Sequence, residues 1–160
     1  MLTLNDAMVQ IIENPANAVW LGNASAFGEP DVVRTMGARV EPNRRHVVVY
    51  VPESGGADLI RNLAGSPRIT LLTAVINTYE SYQFKGDYAG HWACSAEEVE
   101  YQRTYLDRFA ASSMQFYGLP KEKIMVAYFR QPAVSIRMRI DEVYEQTPRK
   151  GTGQRILAQE

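Results

Sequence analysis

The sequence predicts a mainly β domain with flanking helices, in which six antiparallel strands form a closed or nearly closed barrel. Six segments are rich in β-branched and aromatic residues, as strands are. The loops between the first three strands are too short for crossover helices, so these strands have to pair antiparallel. A parallel sheet would need a helix after nearly every strand, and that pattern is absent. Closing the sheet into a barrel removes its exposed edges.

The composition is that of one globular domain. The chain has 160 residues, of which 46% are hydrophobic and 22% are charged, and this length is enough to bury a core. Lys and Arg (17) nearly balance Asp and Glu (18), which argues against binding to nucleic acid or to an anionic membrane. No apolar run reaches the ~20 residues of a membrane helix, and no secretory signal is visible. We expect a cytoplasmic protein with one domain over residues 1–148 and a flexible tail over residues 149–160.

The first 51 residues provide a helix and three strands. Apolar residues at helical spacing predict a helix over residues 4–13, with Thr3 as its N-cap. Strands are predicted over residues 18–23, 31–41 and 45–51. The third of these contains the run VVVYV, whose β-branched side chains favour a strand over a helix.

The remainder of the chain adds two helices and three strands. The longer helix begins at a capping box formed by Ser95 and Glu98. The strand with the clearest alternation places Phe84 on one face and both Gln83 and Lys85 on the other. In chain order, the predicted elements are a helix over 57–64, a strand over 68–76, a strand from residue 79, the helix from residue 95 and a strand over 133–144.

Known catalytic constellations are sparse in this sequence. His91 and Cys94 are three residues apart and could supply two metal ligands, but a zinc site needs three or four. The single cysteine excludes an internal disulfide, and the only other histidine is His46. The glycine motifs of phosphate loops, dinucleotide sites and nucleophile elbows are also missing. We therefore expect no metal site, and the sequence assigns no catalytic residue.

Two polar side chains on the alternating strand are candidates for ligand binding. The Gln83 amide can donate and accept hydrogen bonds, as the edge of a pyrimidine-like ring requires. The Lys85 ammonium lies on the same predicted face and favours an anionic ligand group. The alternative interpretation is a strand whose polar face simply meets solvent.

Arg34 is a cation within an apolar strand segment. If its side chain points inward, it needs an anionic partner, because burying an unpaired charge is expensive. That partner is either a ligand phosphate, held by two parallel hydrogen bonds, or a carboxylate such as Asp31 or Glu80.

The order and spacing of these motifs resemble the pyridoxamine 5'-phosphate oxidase-like family of FMN-binding split barrels. The resemblance covers roughly residues 5 to 148. Its motifs are residues 30–35 (PDVVRT), 63–71 (LAGSPRITL), 82–86 (YQFKG) and 144–148 (YEQTP). The resemblance implies a six-stranded antiparallel split β-barrel.

The resemblance also implies a homodimer that holds FMN in clefts between its subunits. In such proteins the arginine at the position of Arg34 binds the phosphate or ribityl chain of the flavin, with Thr35 beside it. The glutamine at the position of Gln83 bonds to the flavin ring, and Lys85 is an additional contact. The expected activity is that of an FMN-dependent oxidoreductase with a small-molecule substrate or electron donor.

Because of one departure from the family pattern, the sequence does not decide which cofactor is bound. Family oxidases carry a Ser-Arg-Lys run that grips the phosphate, and the matching positions here are Ala57, Asp58 and Leu59. FMN, a deazaflavin, haem or no cofactor all remain open, and so does a non-catalytic flavin-binding protein. An interface for single-stranded nucleic acid is disfavoured by the balanced charge. The candidate replacement cations are Arg39, Arg44, Arg45 and Arg61.

Overall fold

The structure is a computed structural model that describes residues 2–156 of the chain. Within this range it contains one sheet of eight strands and four helices that pack against it. The helices are α1 (Asp6–Glu13), α2 (Glu53–Asn62), α3 (Ala96–Tyr117) and α4 (Lys121–Tyr128). The strands are β1 (Asn17–Ala24), β2 (Pro30–Arg34), β3 (Ala38–Val40), β4 (His46–Pro52), β5 (Arg68–Val75), β6 (Ser81–Ala93), β7 (Ala133–Glu145) and β8 (Arg155–Ile156).

The strand order is β2-β1-β5-β6-β7-β4-β3, with β8 added on β7, and every pair is antiparallel. The predicted fold class, mainly antiparallel β with flanking helices, is confirmed. The structure has two strands more than the six predicted. One arises because the strand predicted over residues 31–41 divides into β2 and β3. The other is β8, which lies in the segment predicted as a flexible tail.

The division between β2 and β3 produces the split in the barrel. The Thr35 N–H donates to the Val19 carbonyl of β1 over 3.0 Å, whereas the Met36 N–H donates to the Tyr50 carbonyl of β4 over 2.8 Å. The chain therefore crosses from one edge of the curled sheet to the other at this point. Gly37 follows with a φ of 107°, a conformation that favours glycine.

The barrel interior is filled by the inward side chains of each strand. Leu71, Phe84 and Ile136 are fully buried there, and Ile12 of α1 and Leu59 of α2 join the same core. Because side chains alternate along a strand, the burial of Phe84 places its neighbours on the outer face of the sheet. The fold thereby fixes the direction of the candidate ligand-binding residues.

The capping prediction is confirmed for α3 and wrong for α1. Ser95 and Glu98 form the reciprocal capping box, with Oγ of Ser95 accepting from the Glu98 N–H over 3.2 Å. The N-cap of α1 is Asn5 rather than Thr3, and its side chain accepts from the Met8 N–H over 3.0 Å. The side-chain oxygen of an N-cap residue accepts a hydrogen bond from a free N–H in the first turn of its helix, and Asn5 does this for α1.

The helices α3 and α4 cover part of the outer face of the sheet. Phe109 and Ala110 of α3 and Ile124 of α4 bury Ala18 of β1. No element is predicted from the sequence over the α4 segment. No helix within residues 2–156 has the length and the hydropathy that crossing a membrane requires.

Candidate functional site

A row of cross-strand neighbours crosses the outer face of the sheet. Arg34 on β2 lies opposite Trp20, Trp20 lies opposite Leu72, and Leu72 lies opposite Gln83 on β6. Adjacent strands are about 4.8 Å apart, so the Cα atoms of Arg34 and Gln83 are roughly 14 Å apart. The side chain of Leu72 is 36% exposed. The row therefore has a cation at one end, an apolar floor in the middle and an amide at the other end.

Gln83 and Lys85 share this outer face, as the alternation predicts. Among the described residues, no side chain or backbone group hydrogen-bonds the Gln83 amide. The Lys85 ammonium lies 4.7 Å from the centre of the Tyr144 ring. The cross-strand neighbour of Lys85 is Glu142, whose carboxylate pairs with Arg68 over 2.6 Å. The polar groups of Gln83 and Lys85 thus remain available to a ligand.

Aromatic rings from three elements hold the Arg34 guanidinium. Its central carbon lies 4.9 Å from the ring centre of Trp20, 4.7 Å from that of Phe109 and 5.2 Å from that of Tyr128. Cations are attracted to aromatic faces at such distances. Nη1 of Arg34 also donates to the Val19 carbonyl over 3.4 Å. β1, α3 and α4 together fix the position of the cation.

Within residues 2–156, no carboxylate forms an ion pair with Arg34. Asp31 and Glu80, the two carboxylate partners considered from the sequence, therefore do not pair with it. Nη2 of Arg34 is buried without a hydrogen-bond partner, and Glu80 instead accepts from the Tyr82 hydroxyl over 3.0 Å. Burial lowers the pKa of the Arg34 guanidinium. A buried cation without a counter-charge is costly, and an anionic ligand would supply that charge.

A cleft of about 240 Å³ opens beside Arg34, between β2, the start of α2 and the end of α4. Val32, Gly55, Tyr128 and Arg130 contribute to its lining, and none of its lining residues carries a carboxylate. Val32 is 66% exposed on the adjoining sheet face. The cleft and the row that leads to Gln83 share Arg34.

The residue next to Arg34 in the chain has a different environment. The Thr35 side chain is fully buried, and its hydroxyl donates to the Val19 carbonyl over 3.1 Å. Thr35 is not among the residues that line the cleft. Its role here is to hold the chain at the break after β2, and a contact of Thr35 with a ligand stays a prediction.

Ala57, Asp58 and Leu59, which replace the Ser-Arg-Lys run of the family oxidases, lie on α2. The negative charge of Asp58 is balanced by an ion pair. Asp58 pairs with Arg61 over 2.7 Å, and both side chains are exposed. Besides Arg34, the cleft lining contains one further cation, Arg130, which sequence reasoning missed. It lies near Arg34 only through the packing of α4, and no sequence pattern signals this. The four replacement cations considered from the sequence lie outside the cleft lining: Arg39, Arg44, Arg45 and Arg61.

His91 and Cys94 have protein partners of their own. Nδ1 of His91 lies 2.6 Å from the Tyr88 hydroxyl. Sγ of Cys94 lies 3.2 Å from the Ser135 hydroxyl and accepts from the Gln102 amide over 3.3 Å. Burial raises the pKa of the Cys94 thiol. Over residues 2–156, no group of three or more His, Cys, Asp or Glu side chains is arranged to hold a metal ion.

Comparison with solved structures defines the class of fold. HupZ of Group A Streptococcus has a TM-score of 0.55 to this chain, at 14% identity over 95% of this chain and 99% of HupZ. A Clostridium acetobutylicum protein related to general stress protein 26, of the pyridoxinephosphate oxidase family, gives 0.54 at 10% identity, over 92% of this chain and 89% of its own. A pyridoxamine 5'-phosphate oxidase-related, FMN-binding protein of Nostoc punctiforme gives 0.51 at 13% identity, over 93% and 85%.

These similarities show the fold and extend over nearly the whole chain. The chain has the fold of the pyridoxamine 5'-phosphate oxidase-like FMN-binding proteins, as the sequence resemblance implies. No protein-family profile and no curated protein matches the sequence. The assignment of the fold therefore depends on the similarity of the architecture.

Proposed function

We propose that this protein binds FMN on the outer face of its sheet and acts as an FMN-dependent oxidoreductase. The observation that carries the proposal is the buried, unpartnered Nη2 of Arg34 beside an open cleft. This cation stands at one end of an apolar row that ends at the Gln83 amide. A planar ring with an anionic tail complements that arrangement.

Each polar residue of the row has a distinct role in the proposal. Arg34 holds the phosphate, because a guanidinium can give two parallel hydrogen bonds to phosphate oxygens. The Gln83 amide bonds to the pyrimidine edge of the ring, where donors and acceptors alternate. The Lys85 ammonium adds positive charge on the same face and favours an anionic ring. Bound FMN supplies the hydride and electron chemistry.

A non-catalytic flavin-binding protein is the alternative function. It is favoured by the lining of the cleft, which contains no carboxylate and no imidazole that could move a proton. The flavin site is the same in both cases. Reduction by an external electron donor separates the two.

We expect the purified protein to bind FMN with a dissociation constant in about the micromolar range or below. The measurement is a titration of flavin-free protein with FMN, followed by flavin fluorescence and absorbance. Anaerobic addition of NADH or NADPH then tests for bleaching of the bound flavin. Bleaching supports the oxidoreductase, and binding without bleaching by either donor supports the flavin carrier. Absence of FMN binding at tens of micromolar would contradict both.

The proposal includes a homodimer, in which a second copy covers the outer sheet face. Val32 is 66% exposed and Leu72 is 36% exposed on that face, and a stable interface buries more than ~1,000 Å² in total. Light scattering at micromolar concentration should give twice the chain mass of 18.0 kDa. Leu72→Lys should favour the monomer, whereas Val126→Lys, at an 82% exposed position of α4, should not. A monomeric unsubstituted protein would contradict the shared site.

A further inference from the structure

We propose that Arg130, just after α4, is a second phosphate-binding cation and selects FMN over riboflavin. This inference rests on the proposed function. It assigns to the link between α4 and β7 a task that the family's Ser-Arg-Lys run performs from the short helix, where this chain has Ala57, Asp58 and Leu59.

The backbone and the Nε of Arg130 have partners, whereas the end of its side chain remains available. Its N–H lies 3.3 Å from Sδ of Met36, and its Nε donates to the Ala127 carbonyl over 3.0 Å. Across residues 2–156, its two terminal nitrogens form no ion pair. A guanidinium has five N–H donors in a fixed plane, so four of them can still reach a ligand in the cleft.

The charges of the cleft favour an anion at this point. Arg34 and Arg130 line the same cleft, and no carboxylate lines it with them. Like charges repel, and the repulsion is stronger where one of them is removed from water, as Arg34 is. A phosphate monoester carries about two negative charges near neutral pH and would offset both cations. Gly55, in the first turn of α2, also lines the cleft.

The structure also explains why α2 itself contributes no cation. The basic side chain of Arg61 is engaged by Asp58 over 2.7 Å on the exposed side of the helix. Arg39 pairs with Glu97 over 3.7 Å, and Arg44 pairs with Asp6 over 2.6 Å. Arg130 is the cation that joins Arg34 in the cleft lining.

The test compares the affinities of the full-length protein for FMN and riboflavin, which differ by the phosphate. Arg130→Gln should weaken FMN binding roughly 10- to 100-fold, as expected for loss of a charged hydrogen bond. It should change riboflavin binding less than twofold. Arg130 is exposed, so the variant should keep its melting temperature. Arg130→Lys should recover part of the lost affinity, because it restores the charge without the planar donor set.

The matched control is Arg108→Gln, which removes one charge from an exposed position of α3 outside the cleft. It should leave both affinities unchanged. If Arg130→Gln and Arg108→Gln weaken FMN equally, or if Arg130→Gln leaves the ratio of the two affinities unchanged, the inference is wrong although the protein still binds FMN. If the unsubstituted protein binds neither flavin, the proposed function itself fails.

Discussion

Replacing Arg34 with methionine is expected to abolish tight FMN binding while the protein stays folded. Truncating one member of a buried charge pair costs about 2–5 kcal/mol of binding free energy, which corresponds to a loss of FMN affinity of roughly 30-fold to several thousand-fold. The free protein tolerates the change because the cation is buried without a carboxylate among the described residues. Methionine has a similar length and makes favourable contacts with aromatic rings, such as those of Trp20, Phe109 and Tyr128.

The measurement pairs a flavin titration with thermal unfolding in the absence of flavin. The Arg34→Met protein should melt within about 5 °C of the unsubstituted protein and retain weak FMN binding, with a smaller preference for FMN over riboflavin. Arg108→Met, on the exposed side of α3, is the control for a change in net charge. Unchanged FMN affinity in the folded Arg34→Met protein would exclude Arg34 from the site.

Substituting Gly86 with alanine is expected to destabilise the fold strongly. A Cβ at this position would lie 1.8 Å from the carbonyl oxygen of Arg139 and 2.8 Å from its carbonyl carbon. These atoms belong to the backbone of β7, so they move only if the β6–β7 pairing moves. The register shifts between Lys85 and Gly86, and a bulge brings the two backbones close at this glycine. We expect a loss of about 3 kcal/mol in the free energy of unfolding.

Thermal unfolding checks this prediction, and the expected decrease in melting temperature is roughly 6–12 °C for a domain of this size. Gly65→Ala is the matched control, because the nearest atom to its Cβ would be Cβ of Ala26 at an ordinary 3.8 Å. That control should stay within about 0.5 kcal/mol of the original stability. A Gly86→Ala protein as stable as Gly65→Ala would show that β6 and β7 do not approach as described.

The parts of the fold that depend on local pattern could be predicted from the sequence. The alternation around Phe84 determines which face Gln83 and Lys85 occupy, and the capping box marks the start of α3. The break between β2 and β3 could not be predicted, because residues 31–41 are compatible with one continuous strand. It forms because the chain bonds to two different strands, at Val19 and at Tyr50.

The candidate site, too, could be predicted where it depends on local sequence pattern. Gln83 and Lys85 follow from strand periodicity, and Arg34 stands out as a charge among apolar neighbours. The environment of Arg34 depends on Phe109 and Tyr128. These residues are about 75 or more positions away in the chain and contact Arg34 only through the packing of the helices. Arg130 enters the cleft for the same reason. Such contacts are tertiary and leave no periodic signal in the sequence.

The most direct test of the account is a crystal structure of the protein grown with FMN. We predict the phosphate within hydrogen-bond distance of the Arg34 guanidinium and the pyrimidine edge of the ring at the Gln83 amide. Between these ends, the ring system should lie over the floor that Trp20 and Leu72 form. A flavin bound elsewhere, or one whose phosphate points away from Arg34, would contradict the central claim.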